Sequence, residues 1–262
     1  MNVKKNIKSL MGRAASACGL IGRDFSAKMV IVTFHRVSDR LKLDGITCTS
    51  TTLETFCRYF RNHFKVLPLS EQIVGARAGR DMGGTLSITF DDGYRDNAEV
   101  AAPILRALGL PATFFVVTGF IGTEYTPPWD AQIGYSPRWM DWSQLRMLRD
   151  QGFEIGAHTH RHIDLGVEDL DSIRSDLTQC RDKLQKELQM AAGLFAYPFG
   201  GRNNIRPAAL ELVRDAGFQC CLSSCGGVNA PTPDPFHLNR INVGDWFATP
   251  HQLGLEILVH RA

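Results

Sequence analysis

The sequence holds 262 residues, 44% of them hydrophobic and 21% charged, with a net charge of +2 at pH 7. That is the composition of an ordinary globular chain, and a near-neutral charge gives no electrostatic case for nucleic acid, whose binders carry a clustered basic excess. No apolar run approaches the roughly 18–20 residues that a membrane-spanning helix needs, so no transmembrane segment is expected.

Residues 1–28 read as a helical N-terminal appendage to one domain over residues 29–262. Lys4, Lys5, Lys8 and Arg13 precede a weak apolar patch at 14–21, which Ser16 and Gly19 dilute too far for a favoured secretory signal. A surface helix, or an amphipathic helix on the domain or on a membrane, fits the same letters. The first strand candidate is 29–34, followed by His35. A helix is expected at 51–64, with Thr51 and Glu54 in capping-box spacing. Strand 86–90 runs into Asp91 and Asp92. Residues 98–108 read as a helix ended by Gly109, which Pro103 kinks or delays. After strand 112–117, the Pro- and aromatic-rich stretch 123–138 lacks periodicity and reads as a loop over one end of the fold. Helix 142–150 follows, and strand 153–157 delivers His158, His160 and His162. Helix 170–190 precedes strand 194–197, which closes on Tyr197, Pro198, Phe199 and Gly200. Helix 207–216, strand 218–222, a loop at 229–235 and strand 240–243 complete the pattern.

Most of these strands are continuous Val-, Ile- and Phe-rich runs, as strands buried on both faces are. Alternation with helices implies right-handed βαβ units and a parallel sheet. The fold class is therefore α/β, and seven strands suit a closed or nearly closed barrel. Seven cysteines are an odd number without a disulfide framework. Cys220, Cys221 and Cys225 cluster, but neighbours on a strand point to opposite faces, so Cys220 and Cys221 cannot easily share an ion. Buried free thiols fit better and favour a reducing, cytoplasmic setting; membrane association and export stay open.

In a parallel barrel the strand C-terminal ends face the active site, and the ionisable residues above gather there. Asp91 and Asp92 would repel each other unless a cation neutralises one of them. A metal on one carboxylate leaves the other free to take a proton from water, and Gly93 permits the turn that lets both converge. As an isolated pair they would read as an ordinary Asp-Gly turn. Three histidines in five positions after a strand weigh against that reading. His158 and His162 can meet one ion where the turn is helical, while His160 points elsewhere. Two His and one Asp with an open position are the arrangement of a hydrolytic zinc centre.

The motifs Thr-Phe-Asp-Asp-Gly at 89–93, His-Thr-His-Arg-His at 158–162 with Leu165 beyond, and Tyr-Pro-Phe-Gly at 197–200 resemble those of the polysaccharide deacetylase family, carbohydrate esterase family 4 or NodB-homology domain. The resemblance runs from about His35 to Val243. It implies a single distorted (β/α)7 barrel, a metal held by Asp92, His158 and His162, and Asp91 as catalytic base. Many members carry an Arg two residues before the Pro of the third motif, where it braces the base; here that position is Ala196. That change, with Thr-Phe-His-Arg-Val at 33–37, resembles the poly-N-acetylglucosamine and exopolysaccharide de-N-acetylase branch. It implies His35 as general acid, with His260 as competitor.

The expected reaction is removal of N-acetyl groups from N-acetylglucosamine-type residues of a bacterial polysaccharide or its oligosaccharide precursor. One divalent ion is implied, Zn2+ first with Co2+ or Ni2+ as substitutes. Tyr197, Pro198, Phe199 and Gly200 would form the substrate and oxyanion side, with the Phe199 N–H as donor. Tyr125, Trp129, Trp139 and Trp246 are candidate sugar-stacking rings, each equally readable as packing. An N-acetylated glycan is the only partner implied, and oligomeric state is not readable. The rivals are an O-acetyl esterase or non-sugar amide hydrolase on the same scaffold, and a catalytically silent carbohydrate-binding domain.

Overall fold

The structure, a computed structural model, describes residues 3–17 and 25–260. Its strands, in chain order, are β1 (Val30–Phe34), β2 (Arg36–Val37), β3 (Thr47–Cys48), β4 (Lys65–Val66), β5 (Thr85–Phe90), β6 (Thr113–Val116), β7 (Glu154–Ala157) and β8 (Ile241–Asn242). The main sheet is parallel throughout, in the order β7-β6-β5-β1-β8, with β4 added to the start of β5.

The expected strands at 194–197 and 218–222 do not form regular ladders. Single parallel bridges replace them, from Ala157 to Phe195, from Ala196 to Leu222 and from Leu222 to Leu238. The last of these leads back along the chain into β8, so the ring closes. Counting these two stretches with β1, β5, β6, β7 and β8 gives the seven staves of a distorted (β/α)7 barrel. The irregular side follows from the sequence: Pro198, Gly200 and Gly201 interrupt one stretch and Gly226 and Gly227 end the other, leaving little room for ladders.

Alternation along the strands sorts the core into two layers. Ile31, Phe115, Ala196, Cys220, Leu222 and Leu238 pack in one cluster, which fills the barrel interior. Val30, Val32, Phe34, Ile88, Phe90, Phe114 and Val116 pack in another, against the surrounding helices. Of the cysteines expected to be buried, Cys48, Cys57, Cys180, Cys220 and Cys221 are; Cys225 is exposed, and Cys18 lies outside the described residues.

The helices are α1 (Val3–Ala17), α2 (Ser50–His63), α3 (Leu69–Arg77), α4 (Ala102–Leu108), α5 (Pro128–Ala131), α6 (Trp142–Asp150), α7 (Leu170–Leu188), α8 (Pro207–Asp215) and α9 (Pro250–Val259). Of the expected N-terminal appendage, Val3–Ala17 form α1, and residues 18–21 of its apolar patch lie outside the described residues. The expected capping box at Thr51 and Glu54 is not formed. Helix α2 starts one residue earlier, and Thr49 caps it by accepting the Thr52 N–H at 3.0 Å. Pro103 does not kink a helix: a π-helical segment, Asn97–Ala101, hands over to α4 with the proline in its first turn, where a missing N–H costs nothing. A capping box at Asp141 and Gln144 starts α6. The loop at 123–138 contains the short α5, which brings Trp129 and Asp130 over the barrel mouth.

Candidate active site

Asp91 and Asp92 follow the end of β5, and a sharp turn at Gly93 (φ 88°) comes next. A side chain at position 93 would press on Val116 and Ile121, so glycine is demanded by space as well as by backbone. Asp92 itself sits at φ 75°, a left-handed conformation that costs a non-glycine residue of order 1 kcal/mol or more. The strain swings its carboxylate towards β7, whose end supplies His158.

The segment after β7 is not the expected helical turn. Thr159 (φ 66°) and His162 (φ 59°) are both left-handed, and the irregular loop brings the two imidazoles to 5.1 Å between ring centres. Asp176 on α7 holds the loop by accepting the backbone N–H of His160 and of Arg161. His160 turns away as expected, its Nδ1 2.9 Å from the Thr118 hydroxyl.

His158 Nδ1 lies 2.8 Å from the Ala196 carbonyl oxygen. A carbonyl only accepts, so Nδ1 carries the proton and Nε2 of the neutral ring presents a lone pair. That Nε2 lies 3.5 Å from Asp92 Oδ1, and His162 Nε2 lies 3.4 Å from the same oxygen. Asp92 Oδ1 is buried without a hydrogen-bond partner. The ligand atoms of these three residues all lie within 4.8 Å of one another. Two imidazole nitrogens converging on one orphaned carboxylate oxygen form a donor set that fits a divalent cation. Burial alone would raise the Asp92 pKa, but the imidazoles of His158 and His162 hold it well below the usual carboxylate range.

Asp91 meets a residue that sequence reasoning did not single out. Arg240, fully buried in the barrel interior, grips both Asp91 oxygens at 2.7 Å. The guanidinium also lies 3.3 Å from the Thr33 and Thr89 hydroxyls and 3.2 Å from that of Ser224, and it donates to the Ser223 carbonyl at 3.0 Å. Its lower face covers the Phe115 ring. Arg240 thus braces the carboxylate that an Arg at position 196 would have braced. Burial would raise the Asp91 pKa; Arg240, with His158 and His35, brings it below the ordinary value. Asp91 is therefore a carboxylate held in one orientation, with its charged form favoured by Arg240.

His35 follows β1, its Nε2 3.9 Å from Asp91 Oδ2. The Asn97 side chain, from the π-helical segment, donates to the His35 carbonyl at 2.7 Å and fixes the backbone there. Burial lowers the His35 pKa, only partly opposed by the Asp92 and Asp91 carboxylates. His260, the competing acid, caps α9 beside Glu256 and does not line the cavity.

The cavity, about 300 Å³, is walled by His35, Asp91, Asp92, His158 and His162 on its chemical side. Trp129, Tyr197, Phe199, Ile46, Ser224 and Asn242 complete it. Tyr197 and Phe199 line it, whereas Pro198 and Gly200 are not among its lining residues. The Trp129 and Phe199 rings each lie 4.7 Å from the His162 ring. Trp139 is no sugar platform, being buried against Tyr94 and Phe120; Tyr125 and Trp246 stay exposed. A second cavity of about 320 Å³ lies beyond Tyr197 and Cys221, but no carboxylate lines it.

A family model described as Polysaccharide deacetylase matches residues 78–221. The poly-beta-1,6-N-acetyl-D-glucosamine N-deacetylase of Staphylococcus aureus is 23% identical over 218 residues, 79% of this chain and 71% of that protein. Among solved structures, IcaB from Ammonifex degensii superposes with a TM-score of 0.73 at 22% identity, covering 89% of this chain and 98% of that one. The Streptococcus pyogenes deacetylase PplD, solved with acetate, gives 0.71 at 20% identity, covering 86% and 96%.

Proposed function

The chain belongs to the polysaccharide deacetylase family, whose members are deacetylase hydrolases, and we propose that it removes N-acetyl groups from N-acetylglucosamine-type residues of a bacterial polysaccharide or its oligosaccharide precursor. The observation that carries this reading is the clamp of Arg240 on Asp91, with His35 at 3.9 Å on one side and the convergent Asp92, His158 and His162 on the other. With Asp91 as base, His35 as acid and Asp92, His158 and His162 as metal ligands, all the groups the reaction needs would share one cavity. A silent binding domain has no use for that combination.

Asp92, His158 and His162 would hold a divalent ion, Zn2+ first and Co2+ or Ni2+ as substitutes, which would supply Lewis acidity and a water of pKa about 7. Asp91 takes the proton as water adds to the acetamide carbonyl carbon. Arg240 keeps both Asp91 oxygens in place, so the proton is received at a fixed point. The Phe199 N–H, in a backbone held at φ 61° at the cavity wall, is the proposed oxyanion donor, and one well-placed donor is worth about 3–4 kcal/mol. His35 then protonates the sugar nitrogen as the C–N bond breaks, and acetate and a free amine leave. Trp129 and Phe199 limit water around the reacting group and offer the sugar apolar faces.

The test is acetate release from N-acetylglucosamine oligomers, with and without chelator, against a panel of O-acetylated sugars. Chelator-sensitive release from the N-acetyl oligomers is expected. Release only from the O-acetyl panel would move the activity to an esterase on the same scaffold.

A further inference from the structure

Helix α1 is packed the wrong way round for a helix that only covers a globular domain. Its inward face is small and polar. Ser9 Oγ lies 2.6 Å from Thr249 Oγ1 at the start of α9, and Lys8 Nζ lies 3.6 Å from the Glu256 carboxylate. Gly12 approaches so closely that a Cβ there would stand 2.0 Å from the His251 carbonyl oxygen. Its outward face is apolar: Ile7 is 55% exposed, Leu10 70% and Met11 55%. With the small, exposed Ala14 these residues keep the i, i+3, i+4, i+7 spacing of one stripe. Helices on soluble domains bury such a stripe and expose the polar one.

The charge on the helix points to the occupant. Its sequence holds Lys4, Lys5, Lys8 and Arg13 and no acidic residue. At about 100° per residue, Lys8 and Arg13 fall on opposite flanks of the apolar stripe. An apolar face flanked by cations is what an interfacial helix presents to a bilayer with negative headgroups. A second copy of the chain is a poorer occupant, because a two-fold contact through α1 sets two all-cationic helices side by side. No described helix is long and apolar enough to cross a membrane, so the contact lies along the surface.

We propose that the Ile7, Leu10, Met11 face of α1 seats on an anionic lipid bilayer surface. The full-length protein should co-sediment with vesicles of phosphatidylglycerol and phosphatidylethanolamine more than with phosphatidylcholine alone, and added salt should weaken the association. Replacing Leu10 and Met11 together with Glu should lower partitioning by at least about tenfold. Both side chains are exposed, so thermal unfolding without vesicles should be unchanged, which separates lost docking from lost folding. No association of the unmodified protein with anionic vesicles, or equal association of the double variant, overturns the proposal. So does a dimer in sedimentation equilibrium that the same double variant splits, which would assign the face to a second copy.

Discussion

Arg240 is a cation in the interior of a barrel, and its burial is sustained by the bidentate pair with Asp91. Removing one partner of such a pair leaves an uncompensated buried charge, at about 3–5 kcal/mol. Arg240→Met should therefore destabilise the fold by about that amount. It should also raise the Asp91 pKa, because the guanidinium is what offsets burial there. The base form of Asp91 would then appear only at higher pH, and the acidic limb of the kcat/KM profile should move upward; an unmoved limb with normal activity would refute the bracing role. Asp91→Asn keeps the shape but accepts no proton, so turnover should fall roughly 10²–10⁴-fold with metal retained. His35 makes the complementary prediction. As an acid it works protonated, and burial lowers its pKa, so the alkaline limb should fall through a pKa below the ordinary imidazole value. His35→Ala should lose roughly 10²–10⁴-fold on N-acetyl substrates yet spare an aryl acetate, whose leaving group departs unaided. A silent His35→Ala with a crippled His260→Ala would reverse the assignment.

At the scale of elements, the π-helical segment Asn97–Ala101 ties the barrel to the acid histidine through the Asn97 contact to the His35 carbonyl. Asp96, which caps the segment, has its carboxyl pushed by burial up to about 7, despite hydrogen bonds from the Val37 backbone and Asn97. A carboxyl whose folded pKa exceeds its unfolded value stabilises the fold at low pH, and that contribution is lost as pH rises through about 7. Asp96→Asn removes the buried charge, so its Tm relative to the parent should be higher at about pH 8 than at about pH 5.5. A Tm difference independent of pH would show that Asp96 is ionised throughout. The segment also marks where sequence reading stopped. Asp91, Asp92, His158 and His162 were legible because each follows an apolar run closely, and strand ends are where such a barrel places its site. Arg240 opens its strand candidate with no motif around it. The only signal was a charged residue at the edge of a buried apolar run, which demands a partner, and that partner lies 149 positions away. The strands at 194–197 and 218–222 read as regular because composition reports burial, whereas ladder formation depends on the glycine- and proline-bearing turns around them.

For the molecule as a whole, the donor set joins two staves of the barrel that are not neighbours. Asp92 stands at the end of β5, His158 and His162 follow β7, and β6 lies between them. On the far side of β7 the ring closes through isolated bridges at Phe195, Leu222 and Leu238, so that arc is held by separate backbone hydrogen bonds, such as Ala196 N–H to the Ala157 carbonyl and Leu222 N–H to the Phe195 carbonyl, and not by a continuous ladder. A cation shared by Asp92, His158 and His162 would pin the mouth of the barrel where β7 enters that arc. Anything that binds the folded chain and not the unfolded one stabilises by mass action, about 2.7 kcal/mol at a hundredfold excess over Kd. For a domain of this size each kcal/mol is worth about 2–4 °C, so Zn2+ should raise Tm by roughly 5–10 °C and a chelator should reverse it. The gain should vanish in His158→Ala and His162→Ala, in parallel with metal content, whatever happens to activity. An equal Zn2+-dependent rise in those variants would place the ion elsewhere; a parent Tm indifferent to chelator, measured on metal-loaded protein, would remove the pinning role altogether.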